Sequence, residues 1–150
     1  MGVKPDKRRD DEMGAWGEGA FDNDDALDWL DNELSGAGAS AVSGALTTVN
    51  ETPVSNYMEL PEGAYGHAAA EAVAIAFGYP AENTDDAVRG HVNEHAEEII
   101  AMDGVKIAAS LALDRITSDN SELHELWTEN DETGAQWSAA IADLQARLRK

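Results

Sequence analysis

Apolar residues recur along this chain at intervals of three and four, the spacing of a helical face, and no stretch sustains the alternation of a half-buried strand. Residues 22–34 set Ala26, Leu27, Leu30 and Leu34 on one stripe and predict a first helix. Asp22 is placed to cap its free amides, Asp24 and Asp25 sit where the positive end of the helix dipole favours acids, and Phe21 stands where a staple onto Ala26 would form. Val42, Ala45, Leu46 and Val49 predict a second helix over 39–50. After a loop containing Pro53, Pro61 fits the opening turn of a third helix, which runs to about Phe77 and stops at Gly78 and Pro80. This third segment, about 61–78, is apolar nearly all round and is expected to be the buried centre.

Further along, Thr84 with Asp85 and Asp86 predicts the start of a fourth helix with the stripe Val88, Val92, His95, Ala96 and Ile99. Asp103 and Gly104 open a fifth, with Ile107, Ala108, Leu111 and Ala112 expected inward. A capping-box spacing from Asp119 to Glu122 starts a short sixth carrying Leu123, Leu126 and Trp127. The same spacing from Thr133 to Gln136 starts the last, which buries Trp137, Ala140, Ile141, Leu144 and Leu148 and ends on Arg147, Arg149 and Lys150, cations suited to a helix C-terminus. The expected fold is all-α: a single compact bundle of about six to seven helices around the central Ala-rich one.

Composition changes this picture in one respect. Leu, Ile, Val and Phe together supply only 27 of 150 residues, and the 30 acidic against 10 basic residues give a net charge of −20. Those values alone match the rule for disorder. The 26 alanines, four tryptophans and clear periodicity argue for a folded chain instead, with alanine ridges letting helices approach closely and tryptophans filling the larger gaps. Acids spread over every segment with only four lysines fit a protein adapted to a salty cytoplasm, where self-repulsion is screened within about 3 Å at 1 M salt. Such a charge repels phosphates and disfavours nucleic acid.

No run of 18 apolar residues exists, so no membrane span is expected. The absence of cysteine rules out disulfides and thiolate metal sites. Residues 1–12, charged throughout and without the apolar core of a signal peptide, read as a flexible extension before a single helical domain at 13–150, with Met13 as an alternative start.

Candidate chemistry concentrates in two places. The opening "MGAWGEGAFDNDDALDWLDNEL", residues 13–34, offers Trp16, Gly17, Gly19, Phe21, Asp22, Asn23 and Asp24. Mechanically, glycines at 14, 17 and 19 allow tight or positive-φ turns that fold Trp16 and Phe21 back as plugs. Functionally, the carboxylates could form a binding surface. A calcium loop fails, because its register wants a glycine at Leu27 and an oxygen ligand at Ala26. Glu71, alone among apolar residues on the third helix, must be paired, hydrogen-bonded or protonated if buried, with His67, Arg115, the Trp16 indole or the glycine-rich amides as candidate partners. His91 and His95 share a helical face at a spacing compatible with metal, but Glu94 occupies the wrong slot for a metalloprotease pattern and no third ligand is evident. No catalytic residue, metal or cofactor is assigned.

The opening stretch resembles the bacterial and archaeal family known as domain of unknown function 4259, whose members typically begin W-G-x-G-x-F-D-N-D-x-A. The likeness continues through "HAAAEAVAIAFG", "ALDRI", "SELHELW" and the closing "W…DLQARL", about residues 13–149. The resemblance implies one small helical domain and transfers no activity. We therefore expect a non-enzymatic, salt-adapted, cytoplasmic interaction domain whose partner is another protein or a second copy. An acidic immunity or antitoxin-like binder of a basic protein is the first alternative, and a small enzyme or metal-dependent protein built on Glu71 and the histidines the second.

Overall fold

In the computed structural model, which describes residues 17–150, eight helices follow one another and no strand forms among the described residues. Helix α1 covers residues 24–37 in three sections: α-helical Asp24–Asp28, π-helical Trp29–Leu34 and α-helical Ser35–Ala37. There follow α2 (Ala39–Asn50), α3 (Leu60–Ala76), α4 (Asp86–Asn93), α5 (Ala96–Ile100), α6 (Val105–Ile116), α7 (Glu122–Thr128) and α8 (Asp131–Leu148).

Helix α3 is the axis. From Gly63 to Ala76 only Tyr65 is more than marginally exposed, and each of the other seven helices packs against it. Alanines make this possible, and so does Gly66: a Cβ there would lie 2.5 Å from Val49 Cγ2 of α2 and 3.2 Å from Ile116 Cδ1 of α6. Pro61 sits in the first turn as expected, and Glu62 accepts a hydrogen bond from the Glu59 amide at 3.3 Å. The exit bends through Gly78 at φ +94°. Beyond it, Lys106 and Lys150 stand 4.8 and 5.6 Å from the ring centroids of Phe77 and Tyr79, a cation–π arrangement for half of the chain's four lysines.

Several boundaries depart from the sequence pattern for identifiable reasons. Asn23, not Asp22, caps α1, accepting from the Ala26 amide at 2.8 Å, and this shift takes Phe21 out of the staple position. The predicted fourth helix is two helices, because the backbone leaves helical geometry at His95 (φ −119°, ψ 11°). Beyond that break Glu98 accepts a hydrogen bond from the Ala39 amide at 2.8 Å and so caps α2. Asp85, not Thr84, caps α4. On α6 the buried face is Val105, Ala109, Ala112, Leu113 and Ile116, whereas Ile107 and Leu111 are 68% and 54% exposed. That sequence holds two apolar stripes, and the one ending on Ile116 wins the contact with α3.

Ser121 rather than Asp119 caps α7, while Glu122 reaches across to accept from the Leu60 amide at 2.9 Å. Asn130 rather than Thr133 caps α8, and the Thr133 hydroxyl instead donates to the Trp127 carbonyl at 2.9 Å. The stripe of α8 is as expected: Trp137, Ile141, Leu144 and Leu148 are buried and Ala140 partly so.

Candidate functional site

The opening loop, the middle of α3, the C-terminal half of α8 and the segment before α4 enclose a cleft of about 300 Å³. Its rim is Glu18, Gly19, Ala20, Phe21 and Asp22; α3 contributes His67 and Glu71, and α8 contributes Ala140, Asp143 and Arg147. Residues 81–85 and Val88 complete the wall, with Glu82 and Asp85 among them. A space of this size holds on the order of ten waters and lies at the lower end of small-ligand sites.

Glu71 is 5% exposed and its partner is Arg147, which none of the sequence candidates anticipated. The guanidinium donates to both carboxylate oxygens, Nη1 to Oε2 at 2.6 Å and Nη2 to Oε1 at 2.9 Å, a bidentate fork. Nη1 also donates to the Tyr79 carbonyl at 2.9 Å, and Nε to Asp143 at 2.8 Å. Burial works against the Arg147 charge, yet the hydrogen bonds and charges of Glu71 and Asp143 outweigh it and hold the guanidinium above its ordinary pKa. One turn of α3 away, His67 is 4% exposed and makes no hydrogen bond among the described residues. Burial first, then the charge of Arg147, pushes its pKa down to about 4, so the imidazole is neutral near pH 7.

The rim owes its shape to Asp22. Its Oδ2 accepts a hydrogen bond from the Gly19 amide at 3.1 Å, and a Cβ at Gly17 or Gly19 would come within 2.7 Å of that oxygen. Gly19 opens a tight turn, its carbonyl accepting from the Asp22 amide at 3.1 Å, as expected; neither glycine has a positive φ, and what both supply is room for the carboxylate. Burial raises the Asp22 pKa; the Gly19 hydrogen bond opposes this and the nearby Glu18 charge adds to it. Phe21 is partly buried against the core, Asn23 is the helix cap and Asp24 is exposed in the first turn. Trp16 and Gly14 lie outside the described residues, so the proposed plug of Trp16 lies there too.

Arg115 is far from this cleft in its bonding. Its guanidinium donates to the carbonyls of Thr52, Pro53, Asn56, Asp119 and Asn120 and to the Ser118 hydroxyl, tying the loop before α3 to the loop before α7. The same two loops meet in a backbone bridge, the Met58 amide donating to the Asn120 carbonyl at 2.8 Å and the Glu122 amide to the Met58 carbonyl at 2.9 Å. His91 lies on α4 and His95 at the break, which removes the shared helical face; His95 Nδ1 is 3.8 Å from Glu98. Among the described residues no group of three or more His, Cys, Asp and Glu is placed to hold a metal ion. None of the described helices is long and apolar enough to cross a membrane.

With this geometry in view, comparison with known proteins gives one match: the family described as domain of unknown function (DUF4259) matches residues 14–140. The chain belongs to the DUF4259 family. The family match covers the cleft's rim, His67, Glu71 and the 81–88 wall, and stops at Ala140, before Asp143 and Arg147. No curated protein and no solved structure matches significantly.

Proposed function

We propose that this member of the DUF4259 family is a non-enzymatic interaction domain, at home in a salty cytoplasm, that receives a basic group of a protein partner in the cleft between the opening loop and α8. The domain is residues 13–150, with 1–12 as a charged extension. The observation that carries the reading is the charge of the lining. Among the described residues Glu18, Asp22, Glu71, Glu82, Asp85 and Asp143 line it with one guanidinium and a neutral imidazole, and that guanidinium is already engaged by two of the carboxylates. A concave surface with surplus negative charge and low-dielectric walls concentrates a cation far more than a flat acidic face does. Both oxygens of Glu71 accept from Arg147, which supports a fixed, positioning part for this acid in the floor of the cleft.

Because the whole surface is acidic, the test must separate the cleft from the background. A short lysine-containing peptide is titrated calorimetrically against wild type, against Glu82→Gln/Asp85→Asn/Asp143→Asn, and against a control set of exposed acids elsewhere, Glu51→Gln/Asp103→Asn/Glu129→Gln. The reading expects affinity to fall at least tenfold in the first set and to stay nearly level in the second. Equal losses in both sets would reduce the effect to net charge and refute it.

A further inference from the structure

We infer that His67 is the group with which the cleft recognises its ligand, accepting a hydrogen bond from the N–H of a side-chain ammonium, so that the cleft takes an unmodified lysine. This rests on the proposed function and names the chemistry of the same site. Three observations converge on it. His67 is more than nine-tenths buried, lines the cleft and has no hydrogen-bond partner among the described residues, although a buried imidazole normally has one. It stands one turn from the Glu71–Arg147 fork, and burial first, then the charge of Arg147, favour the uncharged imidazole, which carries one acceptor nitrogen. Among the described residues the carboxylates around it form no group of three or more placed to hold a metal ion, and an organic cation answers both the charge and the imidazole.

A cation could also be held without donating hydrogen bonds, as quaternary ammonium groups are held by aromatic cages. Among the described residues the cleft has one aromatic ring, Phe21, besides the imidazole, so charge alone is poorly served by them. A lysine ammonium carries three donors, enough for His67 and two carboxylates.

The experiment compares a neutral peptide bearing one lysine with the same peptide bearing trimethyl-lysine, which keeps the charge but has no N–H. Both are titrated at pH 7 and matched ionic strength against wild-type protein. Trimethylation should weaken binding about tenfold, the effect of losing one hydrogen bond to a charged donor. The gap should close in His67→Phe and persist in His67→Gln, whose amide oxygen still accepts, with circular dichroism confirming that each variant is folded. Equal affinities on wild type overturn the role of His67 while leaving the acidic cleft as a binding site. Failure of both peptides to bind overturns the proposed function itself. Butylamine binding as tightly as the lysine peptide would assign the site to a free amine and refute the protein partner.

Discussion

Glu71 and Arg147 are held to each other by the bidentate fork. Their side chains are 7% and 10% exposed, so removing one leaves the other a desolvated ion, the situation in which buried pairs are most costly to break. Glu71→Gln keeps the shape and some hydrogen bonding, and is expected to lower unfolding free energy in urea by ~1–3 kcal/mol. Arg147→Leu, which strands the carboxylate, should cost ~3–5 kcal/mol. A Gln variant as stable as wild type would mean that the fork contributes nothing net. Arg115 acts by geometry more than by charge: six acceptors surround its five N–H groups, a fan that a lysine cannot reproduce. Arg115→Lys should therefore cost ~2–4 kcal/mol by the same urea measurement. For His67, the unfolded chain takes up a proton near pH 6.5 while the fold resists until about 4. Its contribution is complete above about 6.5 and is lost as the pH falls to about 4, amounting to ~3 kcal/mol. Stability of His67→Gln relative to wild type should thus improve steadily across that window; a constant difference would contradict the depressed pKa.

At the scale of elements, the close approach of α2 and α6 to α3 depends on residues without bulk. Gly66→Ala brings a methyl to 2.5 Å from Val49, and overpacking of this kind should lower stability by ~1–3 kcal/mol, measurable as a reduced urea midpoint. The π-helical section of α1 has a comparable packing logic: its i→i+5 bonding sets Trp29 and Leu34 on the same buried side, and the Ser35 hydroxyl donates to the Leu30 carbonyl at 3.1 Å. The long periodic segments were legible in the sequence, α2 at both boundaries and α3 within two residues, because a stripe of apolar positions repeats often enough to set its phase. Two kinds of feature were not. Where a helix carries two apolar stripes, as α6 does, only the neighbour decides between them. Where several Asp, Asn, Ser or Thr stand together, as at 22–25, 117–121 and 130–133, each is a competent cap and tertiary contacts choose. The cleft was legible as two halves, the opening loop and Glu71, but not as a site. Arg147 reads as a cation suited to the helix C-terminus, yet it follows Ala140 and Leu144 at i+7 and i+3 on the inward stripe, the signal that aims it at α3.

For the whole molecule, a net charge of −20 over 150 residues opposes compaction, and salt relieves it. Helicity by circular dichroism and the urea midpoint should both rise between very low and molar potassium chloride; curves that superimpose would remove the argument for a salt-adapted surface. The same acidity is diffuse on most faces, and in the cleft it meets a buried imidazole that has no hydrogen-bond partner among the described residues. This coincidence links an Ala-rich bundle to the proposed binding: the helices hold Glu71, Arg147 and His67 as a floor, and the opening loop, shaped by Asp22 against two glycines, forms the edge over it. The most direct test is amide chemical-shift mapping of isotope-labelled protein titrated with the single-lysine peptide. The account predicts saturable shifts confined to Gly19, Ala20, His67, Glu82 and Ala140. Shifts scattered evenly over acidic helix faces, or none at saturating peptide, would contradict it.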